Sequence, residues 1–425
     1  MPSKPKRPLE LIFLGTGTSS SLPHVECLTA RPNDKKCRVC LSTLKPEGKH
    51  NIRRNTGAVI RTEGKDGKMK TIVIDVGKNF QASALEWFPK HGLRVIDAVL
   101  ITHPHADAMF GLDDLRVWTL RGAIQPHIDL YCSRNTYVEV QRSFPYLVSR
   151  EFASGGGDVR AWFSGRVGFV IDVAAFKVPE FKWHVIEDGV PFELADTGIE
   201  VTPFSVHHGR YFSMLPPPGC APTPGAGTPA MKPDELPLLT DSLSLDPKKS
   251  APEETIHPYL CFGFKIQDTV LYMSDVSHIP DEAWAVIEGQ RTEEQIDPSS
   301  TPTPSKKISV LVVDCLRLIS HTSHFGIAEA VTAARRVGAL RTYWTGFAHD
   351  IGHDEYVTIG EALDGRPRDA PPLKELTAME SKGFKVVPEG SPLWVRPAHD
   401  GLRITVQKSA GGVEVRDDTY DTSSC

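Results

Sequence analysis

Short apolar runs recur along the whole chain and predict β-strands, because they are rich in Val, Ile, Leu and aromatic residues. The runs are Leu9–Leu14, Gly57–Thr62, Thr71–Asp75, Ala98–Thr102, Ile128–Cys132, Ile199–Val206, Leu260–Ile266, Thr269–Asp275 and Ile308–Asp314. Helical periodicity predicts helices at Phe80–Lys90, Gly111–Leu120, Asn135–Phe144, Asp281–Ile287, Gly326–Val337 and His353–Leu363. Strands and helices do not alternate strictly, which disfavours a doubly wound parallel sheet. An α/β fold with a mixed sheet arrangement and helices on the outer faces fits the pattern better.

Two segments break this pattern. Leu215–Pro252 contains ten of the 34 prolines, and Thr292–Ser305 repeats the same composition on a smaller scale. Such segments cannot support a packed core, and strand sequence flanks both of them. We therefore predict a single domain over residues 9–407 with surface insertions at 215–252 and 292–305, followed by a flexible C-terminal tail at 408–425.

Composition narrows the class of protein. The 425 residues are 40% hydrophobic and 24% charged, as expected of a globular protein, and the net charge of −5 argues against a dedicated nucleic-acid binder. No apolar stretch approaches the ~20 residues needed to cross a bilayer. The eight cysteines are too sparse for a disulfide framework. We expect a cytoplasmic protein with reduced thiols and no membrane partner, and a nuclear location is also compatible.

Candidate metal ligands follow the strand predicted at Ala98–Thr102. His103, His105 and Asp107 occupy alternate positions, and residues two apart in extended chain point to the same side. Two imidazoles can then share one ion, since neutral imidazole suits zinc and related metals. An isolated His-x-His is more often part of an ordinary polar loop, so a metal site here requires further ligands elsewhere in the chain. Further potential ligands come soon after other apolar runs, at His207, His208, Asp275, His278, His321, His324 and His349.

These motifs resemble the metallo-β-lactamase-fold hydrolases in content and order. The resemblance rests on Phe13-Leu-Gly-Thr-Gly-Thr18, the Ile74-Asp-Val-Gly77 turn, the His-x-His-x-Asp loop and the later His- and Asp-bearing strands. Within that superfamily the chain looks most like the PhnP-type phosphodiesterases, which open cyclic phosphate esters of ribose. That closer match rests on the N-terminal cysteines, Asn55-Thr-Gly57 and Pro397-Ala-His-Asp-Gly401. The resemblance implies an αββα sandwich, in which helices flank two mixed β-sheets.

The resemblance also implies roles for individual residues. His103, His105 and His208 would bind a first metal, Zn²⁺ or Mn²⁺, with Asp275 as the bridging or fourth ligand. Asp107 would bind a second metal and position the attacking water. His324 would protonate the leaving oxygen.

The chain departs from the family pattern at the second metal. Ala108 stands where the loop normally has a histidine, and Gly346 stands where a histidine usually follows the threonine. Both missing residues belong to the same metal site. We therefore predict one tightly held metal, with any second metal weak or bound through substitutes such as His278, His321 or His353.

Three cysteines near the N-terminus form a second candidate metal site. Cys37 and Cys40 make a Cys-x-x-Cys pair, and Cys27 lies upstream. Thiolates at this spacing favour Zn²⁺ in a closed tetrahedral site, so a fourth ligand is required. The resemblance points to His349 as that ligand, although the spacer after Cys27 is longer than in the family. Unpaired thiols in a loop are the alternative; a bound zinc would be structural, because the protein would fill all four positions.

The sequence as a whole predicts a metal-dependent hydrolase, foremost a phosphodiesterase that attacks a small or cyclic phosphodiester with metal-activated water. Arg317 could reach the phosphate of that substrate, or form a salt bridge with a nearby carboxylate. One alternative is a tRNA 3′-processing-type nuclease, against which the acidic balance of residues 215–252 argues. Another is a non-catalytic metal-binding scaffold. A homodimer is compatible with the sequence, and the insertion that begins soon after His208 is expected to overhang the site as a lid.

Overall fold

The computed structural model describes residues 7–148, 181–212, 256–289, 308–365, 375–409 and 411–421. The insertions predicted at 215–252 and 292–305 lie outside the described residues, as does the lid expected from the first of them. Within the described ranges, no helix is both long and apolar enough to span a membrane.

Two mixed β-sheets form the centre of the fold. The strands are β1 (Leu9–Gly15), β2 (Gly57–Glu63), β3 (Met69–Ile74), β4 (Ala98–Leu100), β5 (Ile128–Cys132), β6 (Phe181–Val185), β7 (Phe192–Glu193), β8 (Glu200–Phe212), β9 (Ile256–Ile266), β10 (Val270–Met273), β11 (Val310–Asp314), β12 (Arg341–Thr345), β13 (Val395–Pro397), β14 (Arg403–Ser409) and β15 (Gly412–Asp417). The first sheet has the order β15-β14-β1-β2-β3-β4-β5-β6, and the second has the order β13-β12-β11-β10-β9-β8-β7.

Helices cover the outer faces of both sheets. The helices of the described residues are α1 (Val25–Leu28), α2 (Arg38–Ser42), α3 (Phe80–Lys90), α4 (Ala106–Met109), α5 (Arg116–Thr119), α6 (Arg134–Ser143), α7 (Pro145–Val148), α8 (Asp281–Glu288), α9 (Ile327–Val337), α10 (His353–Leu363) and α11 (Ala378–Val386). Helix α3 packs on the first sheet, while α8, α9 and α10 pack on the second.

Alternation along the strands separates three apolar cores. In β1, Leu11 and Phe13 face the core between the sheets, whereas Ile12 and Leu14 face the helices outside. Because successive side chains of a strand point to opposite faces, a run that is apolar on both faces must be covered on both. The continuous apolar runs of the sequence therefore correspond to a four-layer arrangement. The predicted αββα sandwich of two mixed sheets with flanking helices is confirmed.

The helix predicted at Gly111–Leu120 is not continuous. A short α4 begins earlier, at Ala106, and a 3₁₀ turn at Phe110–Leu112 separates it from α5. The reason is a close backbone contact: the Gly111 N–H donates to the Val76 carbonyl over 2.7 Å, and a Cβ at Gly111 would lie 2.5 Å from the Gly77 carbonyl oxygen. The earlier start places Asp107 in the first helical turn, directly beyond the histidine loop.

The prediction of a flexible tail at 408–425 is wrong for residues 411–421. Strand β15 pairs with β14 in antiparallel register, and Asp417 accepts hydrogen bonds from Tyr343 Oη at 2.8 Å and from Arg341 at 2.9 Å. Tyr420 Oη donates to the Pro397 carbonyl over 2.6 Å. Side-chain contacts with distant strands thus fix a segment that was predicted to be flexible.

Candidate metal centre

His103 lies just beyond β4 and is buried. Its Nδ1 is 2.8 Å from Thr102 Oγ1, and that hydroxyl donates to Asp75 Oδ2 over 2.8 Å. Since the only hydroxyl proton of Thr102 goes to Asp75, the imidazole supplies the other proton and carries it on Nδ1. This leaves a lone pair on His103 Nε2, which is buried and has no hydrogen-bond partner among the described residues. A buried lone pair is costly without a partner, and a metal ion is the partner that suits it.

His105 and His208 bring two more imidazole nitrogens to the same point. His105 follows β4 in the first sheet, and His208 lies in a bulge of β8 in the second. His105 Nδ1 is 3.2 Å from His208 Nε2, and the ligand atoms of these two residues and His103 all lie within 4.8 Å of one another. Two nitrogens bound to tetrahedral zinc at about 2.0–2.1 Å would be about 3.3 Å apart. His208 Nδ1 donates to the Ser323 carbonyl over 2.9 Å, which leaves its Nε2 for an ion.

Two carboxylates beside the imidazoles have different electrostatic environments. Asp275 follows β10 and lies with His208 and His324 in a group whose ligand atoms are within 4.8 Å of one another. Burial alone would raise the pKa of Asp275, but His103, His208 and His324 hold it below its ordinary value. Burial, and then the charge of Asp275, instead raise the pKa of Asp107 to about 6. One acid therefore stays ionised while the other can exchange a proton near neutral pH.

His324 is paired with Asp314, which ends β11 and is fully buried. His324 Nδ1 is 2.7 Å from Asp314 Oδ2. Burial alone would lower the pKa of His324, but the Asp314 carboxylate raises it to about 9. The pairing fixes the imidazole through Nδ1 and leaves Nε2 available to the site.

The space around Gly346 is occupied by the other oxygen of Asp314. Gly346 has a φ of +77°, and a Cβ at this position would lie 2.5 Å from Asp314 Oδ1. A longer side chain, such as the histidine that the family pattern has here, would have to begin in the same space. The Asp314 carboxylate and a second-site histidine at position 346 therefore exclude each other in this arrangement.

The ligand atoms of the predicted cysteine site also lie close together. His349 Nδ1 lies 3.3 Å from Cys27 Sγ, 3.8 Å from Cys37 Sγ and 3.6 Å from Cys40 Sγ. Tetrahedral zinc, with Zn–S of about 2.3 Å and Zn–N of about 2.0–2.1 Å, would separate sulfur and nitrogen ligands by about 3.6 Å. Burial raises the pKa of the Cys40 thiol to about 12, so a bound cation is what would favour its thiolate form. The distances and the donor set fit one zinc ion.

Arg53 fixes the loop that carries His349. Its buried guanidinium donates to the carbonyl oxygens of Ala348 and Ile351 and lies 4.9 Å from the centre of the Phe347 ring. Burial lowers the pKa of Arg53 to about 10. The Arg53 guanidinium thereby attaches the loop between β12 and α10 to the N-terminal segment. The cysteine cluster makes a second attachment through His349.

Four other candidate residues, His207, His278, Arg317 and His321, do not belong to the groups of potential metal ligands in the described part of the chain. His321 is exposed, with Nδ1 2.9 Å from Ser323 Oγ and its ring 6.2 Å from that of His324. Arg317 Nε donates to the Ile319 carbonyl over 3.3 Å. His207 and His278 lie beside each other, with ring centres 5.1 Å apart, outside the groups of potential ligands in the described part of the chain.

The expectation that His353 could replace a missing metal ligand is wrong. His353 is buried at the start of α10, where its Nε2 is 3.1 Å from Tyr420 Oη. Its ring packs against His50 and His399, at centre distances of 4.8 and 5.5 Å. The side chain therefore belongs to a separate histidine cluster that contacts the C-terminal segment.

Sequence reasoning missed three residues of the site. Thr102 connects Asp75 to His103, and Asp314 pairs with His324. Asp314 ends an apolar strand just as Asp275 follows one, so the same signal could have identified it. Tyr259 carries no such signal: only the pairing of β9 with β8 brings its ring over the imidazoles, 4.5 Å from His105.

Comparison with known proteins finds similarity to part of this chain. A family model described as a β-lactamase superfamily domain matches residues 70–221. A curated octanoyltransferase from Porphyromonas gingivalis is 29% identical over 204 residues, which are 48% of this chain and 31% of that protein. The chain thus spans less than a third of the length of that relative.

Two solved structures are among those similar to this chain. A diphosphatase of the PhnP family has 21% sequence identity and a TM-score of 0.52, with 93% of this chain and 96% of that chain covered. The short form of human tRNase Z has 14% identity and a TM-score of 0.40, with 80% and 92% covered. Residues 70–221 thus match the β-lactamase superfamily domain, and the chain has the metallo-β-lactamase fold.

Proposed function

We propose that the protein is a metal-dependent hydrolase that cleaves a phosphodiester bond in a small or cyclic substrate. The observation that carries this proposal is the convergence of three imidazole nitrogens, including the buried and unpartnered Nε2 of His103, beside two carboxylates. A Zn²⁺ or Mn²⁺ ion held by His103, His105, His208 and Asp275 would supply Lewis-acid chemistry, which polarises phosphoryl oxygens and makes water more acidic. The likeness to a PhnP-family diphosphatase supports chemistry at phosphorus.

Two residues have the proton chemistry that hydrolysis requires. Asp107, with a pKa near 6, accepts a proton from the water that attacks phosphorus. His324, oriented by Asp314 through Nδ1, donates a proton from Nε2 to the leaving alkoxide as the ester P–O bond breaks. The diester and one water thereby become a phosphate monoester and an alcohol.

Variants of the proton donor test the proposed reaction. The protein loaded with zinc or manganese is assayed on a chromogenic phosphodiester, a cyclic ribose phosphate and a precursor tRNA. We expect turnover of a small diester, and we expect His324→Gln to lower kcat by about 10²–10⁴-fold with unchanged metal content. The matched control His321→Gln, an exposed neighbour, should stay within a few-fold of wild type. Cleavage of the tRNA alone would favour the nuclease, and no turnover at full metal content would favour a scaffold.

We further propose that the hydrolytic site holds one tightly bound metal. Ala108 is buried and has no ligand atom, and Gly346 abuts the Asp314 carboxylate. Metal analysis after dialysis should therefore give two ions per chain, one in each site, and Cys37→Ser should remove one of them. Three tightly bound ions per chain would overturn this proposal.

A further inference from the structure

The three imidazoles of the catalytic cluster are not positioned in the same way. His103 is fixed through its second nitrogen by Thr102, and His208 is fixed through its second nitrogen by the Ser323 carbonyl. His105 is exposed. In the described part of the chain its Nδ1 lies 3.2 Å from His208 Nε2, on the side that would face a metal. Metal-binding histidines usually have their other nitrogen fixed by a carboxylate, a carbonyl or water. Because His105 is exposed, water is available to its second nitrogen, and a contact with the face of the ring is the further means of fixing its orientation.

Tyr259 makes that contact. Its ring is stacked on the His105 imidazole, with centres 4.5 Å apart and an angle of 17° between the planes. The same ring lies edge-on to His103 at 6.3 Å and to His208 at 5.9 Å. One aromatic side chain thus touches or faces all three nitrogen ligands.

The backbone explains why Tyr259 reaches this position. Strands β8 and β9 are antiparallel, with His207 opposite Leu260 and Arg210 opposite Pro258. His208 and Gly209 therefore form a bulge in which two residues oppose Tyr259 alone. Gly209 has a φ of +87°, a backbone conformation that glycine adopts readily. The bulge that turns His208 into the site thus leaves Tyr259 as the single residue across from it.

We infer that Tyr259 is a positioning residue for the catalytic metal. By stacking on the His105 imidazole, it holds that ring in the orientation needed to bind the metal. The inference rests on the proposed function, since it requires a metal at the three imidazoles. Stacked aromatic rings attract each other, and a bound cation would make the imidazole more positive and its attraction to the electron-rich face of the phenol ring stronger. The hydroxyl group is not needed for this role.

Metal affinity tests the inference without relying on turnover. The zinc dissociation constant of the catalytic site is measured by chelator competition for wild type, Tyr259→Phe and Tyr259→Leu, with the cysteine site occupied throughout. We expect Tyr259→Leu to weaken zinc binding about tenfold and to alter the absorption spectrum of the Co²⁺-loaded site. Tyr259→Phe should stay within about twofold of wild type, since it retains the stacked ring. The control Leu260→Ala alters the exposed neighbouring residue and should have no effect.

The outcomes separate the inference from the proposed function. Unchanged zinc affinity in Tyr259→Leu would overturn the inference, and so would equal weakening in Tyr259→Phe, because the hydroxyl would then be responsible. Failure of wild-type protein to bind metal at the three imidazoles would instead overturn the proposed function. Zinc content at the cysteine site and the circular dichroism spectrum show whether each variant is folded. If Tyr259→Leu is not, Tyr259→Met supplies the same loss of the ring with a more adaptable side chain.

Discussion

Replacement of Gly346 by alanine should destabilise the protein more than most glycine replacements, because a backbone cost and a steric cost both apply there. The first is the backbone: a residue with a Cβ at φ +77° is destabilised by about 1–2 kcal/mol. The second is steric, since the new methyl group would lie 2.5 Å from Asp314 Oδ1 and 3.3 Å from the Ser274 carbonyl oxygen.

The Asp314 carboxylate cannot move away from that methyl group without losing hydrogen bonds. Its Oδ2 accepts a hydrogen bond from the Val276 N–H over 3.0 Å and is 2.7 Å from His324 Nδ1. Loss of one hydrogen bond to a charged group costs about 1.5–3 kcal/mol. We therefore expect Gly346→Ala to lower the free energy of unfolding by about 2.5–5 kcal/mol in total. We also expect it to reduce turnover, because His324 would lose its partner.

Gly92→Ala is the matched control. Gly92 has a φ of +62°, and a Cβ there would meet no atom within 4 Å, so only the backbone cost of about 1–2 kcal/mol applies. Urea unfolding of the metal-loaded proteins measures both changes, and kcat on a small phosphodiester shows whether His324 is affected. If Gly346→Ala costs no more than Gly92→Ala and keeps wild-type kcat, the steric conflict with Asp314 is refuted.

Two further predictions concern stability. Removal of zinc from the cysteine cluster should speed amide hydrogen exchange in residues 24–42 and leave β1 protected, because a small apolar cluster and the Arg38–Glu355 ion pair would be left to hold that segment; uniform exchange changes would contradict this. Burial, then the nearby His399 and Lys49, lower the pKa of His50 to about 4, and Asp354 opposes them. The unfolded chain therefore binds more protons than the folded one between about pH 6.5 and 4, and stability is lost as the pH falls through that window. When the pH falls from 7 to 4, the free energy of unfolding of His50→Gln, measured by urea unfolding, should decrease by about 2 kcal/mol less than that of wild type, after allowance for the partial exposure of His50; an equal decrease in both proteins would contradict this.

The sequence identified the edge of the sheets at which the site forms, because apolar runs that end in His or Asp mark strand ends. His103, His105, His208 and Asp275 are brought together on that basis. Their partners were harder to predict, since each depends on a contact between distant segments. Tyr259 faces the cluster only because β9 pairs with β8 across a bulge.

Two expectations failed for related reasons. A flexible tail was predicted at 408–425, but Asp417 has partners on β12, more than 70 residues earlier in the chain. His353 was predicted as a possible substitute ligand for a second metal. The start of α10 instead turns its side chain toward His50 and His399. Composition and local spacing contain no information about such long-range partners.

The segment after β12 serves two sites of different chemistry. Gly346 abuts the carboxylate that orients His324, and His349, three residues later, completes the cysteine cluster. Between these two residues, the Arg53 guanidinium donates a hydrogen bond to the carbonyl oxygen of Ala348. Because the segment is so short, we expect a displacement at one end to shift the other, which would link the free energy of zinc binding at the cysteine cluster to the alignment of His324. On that expectation, loss of zinc from the cysteine cluster would lower the fraction of molecules in which His324 is aligned, although the cysteine cluster and His324 belong to different groups of potential ligands.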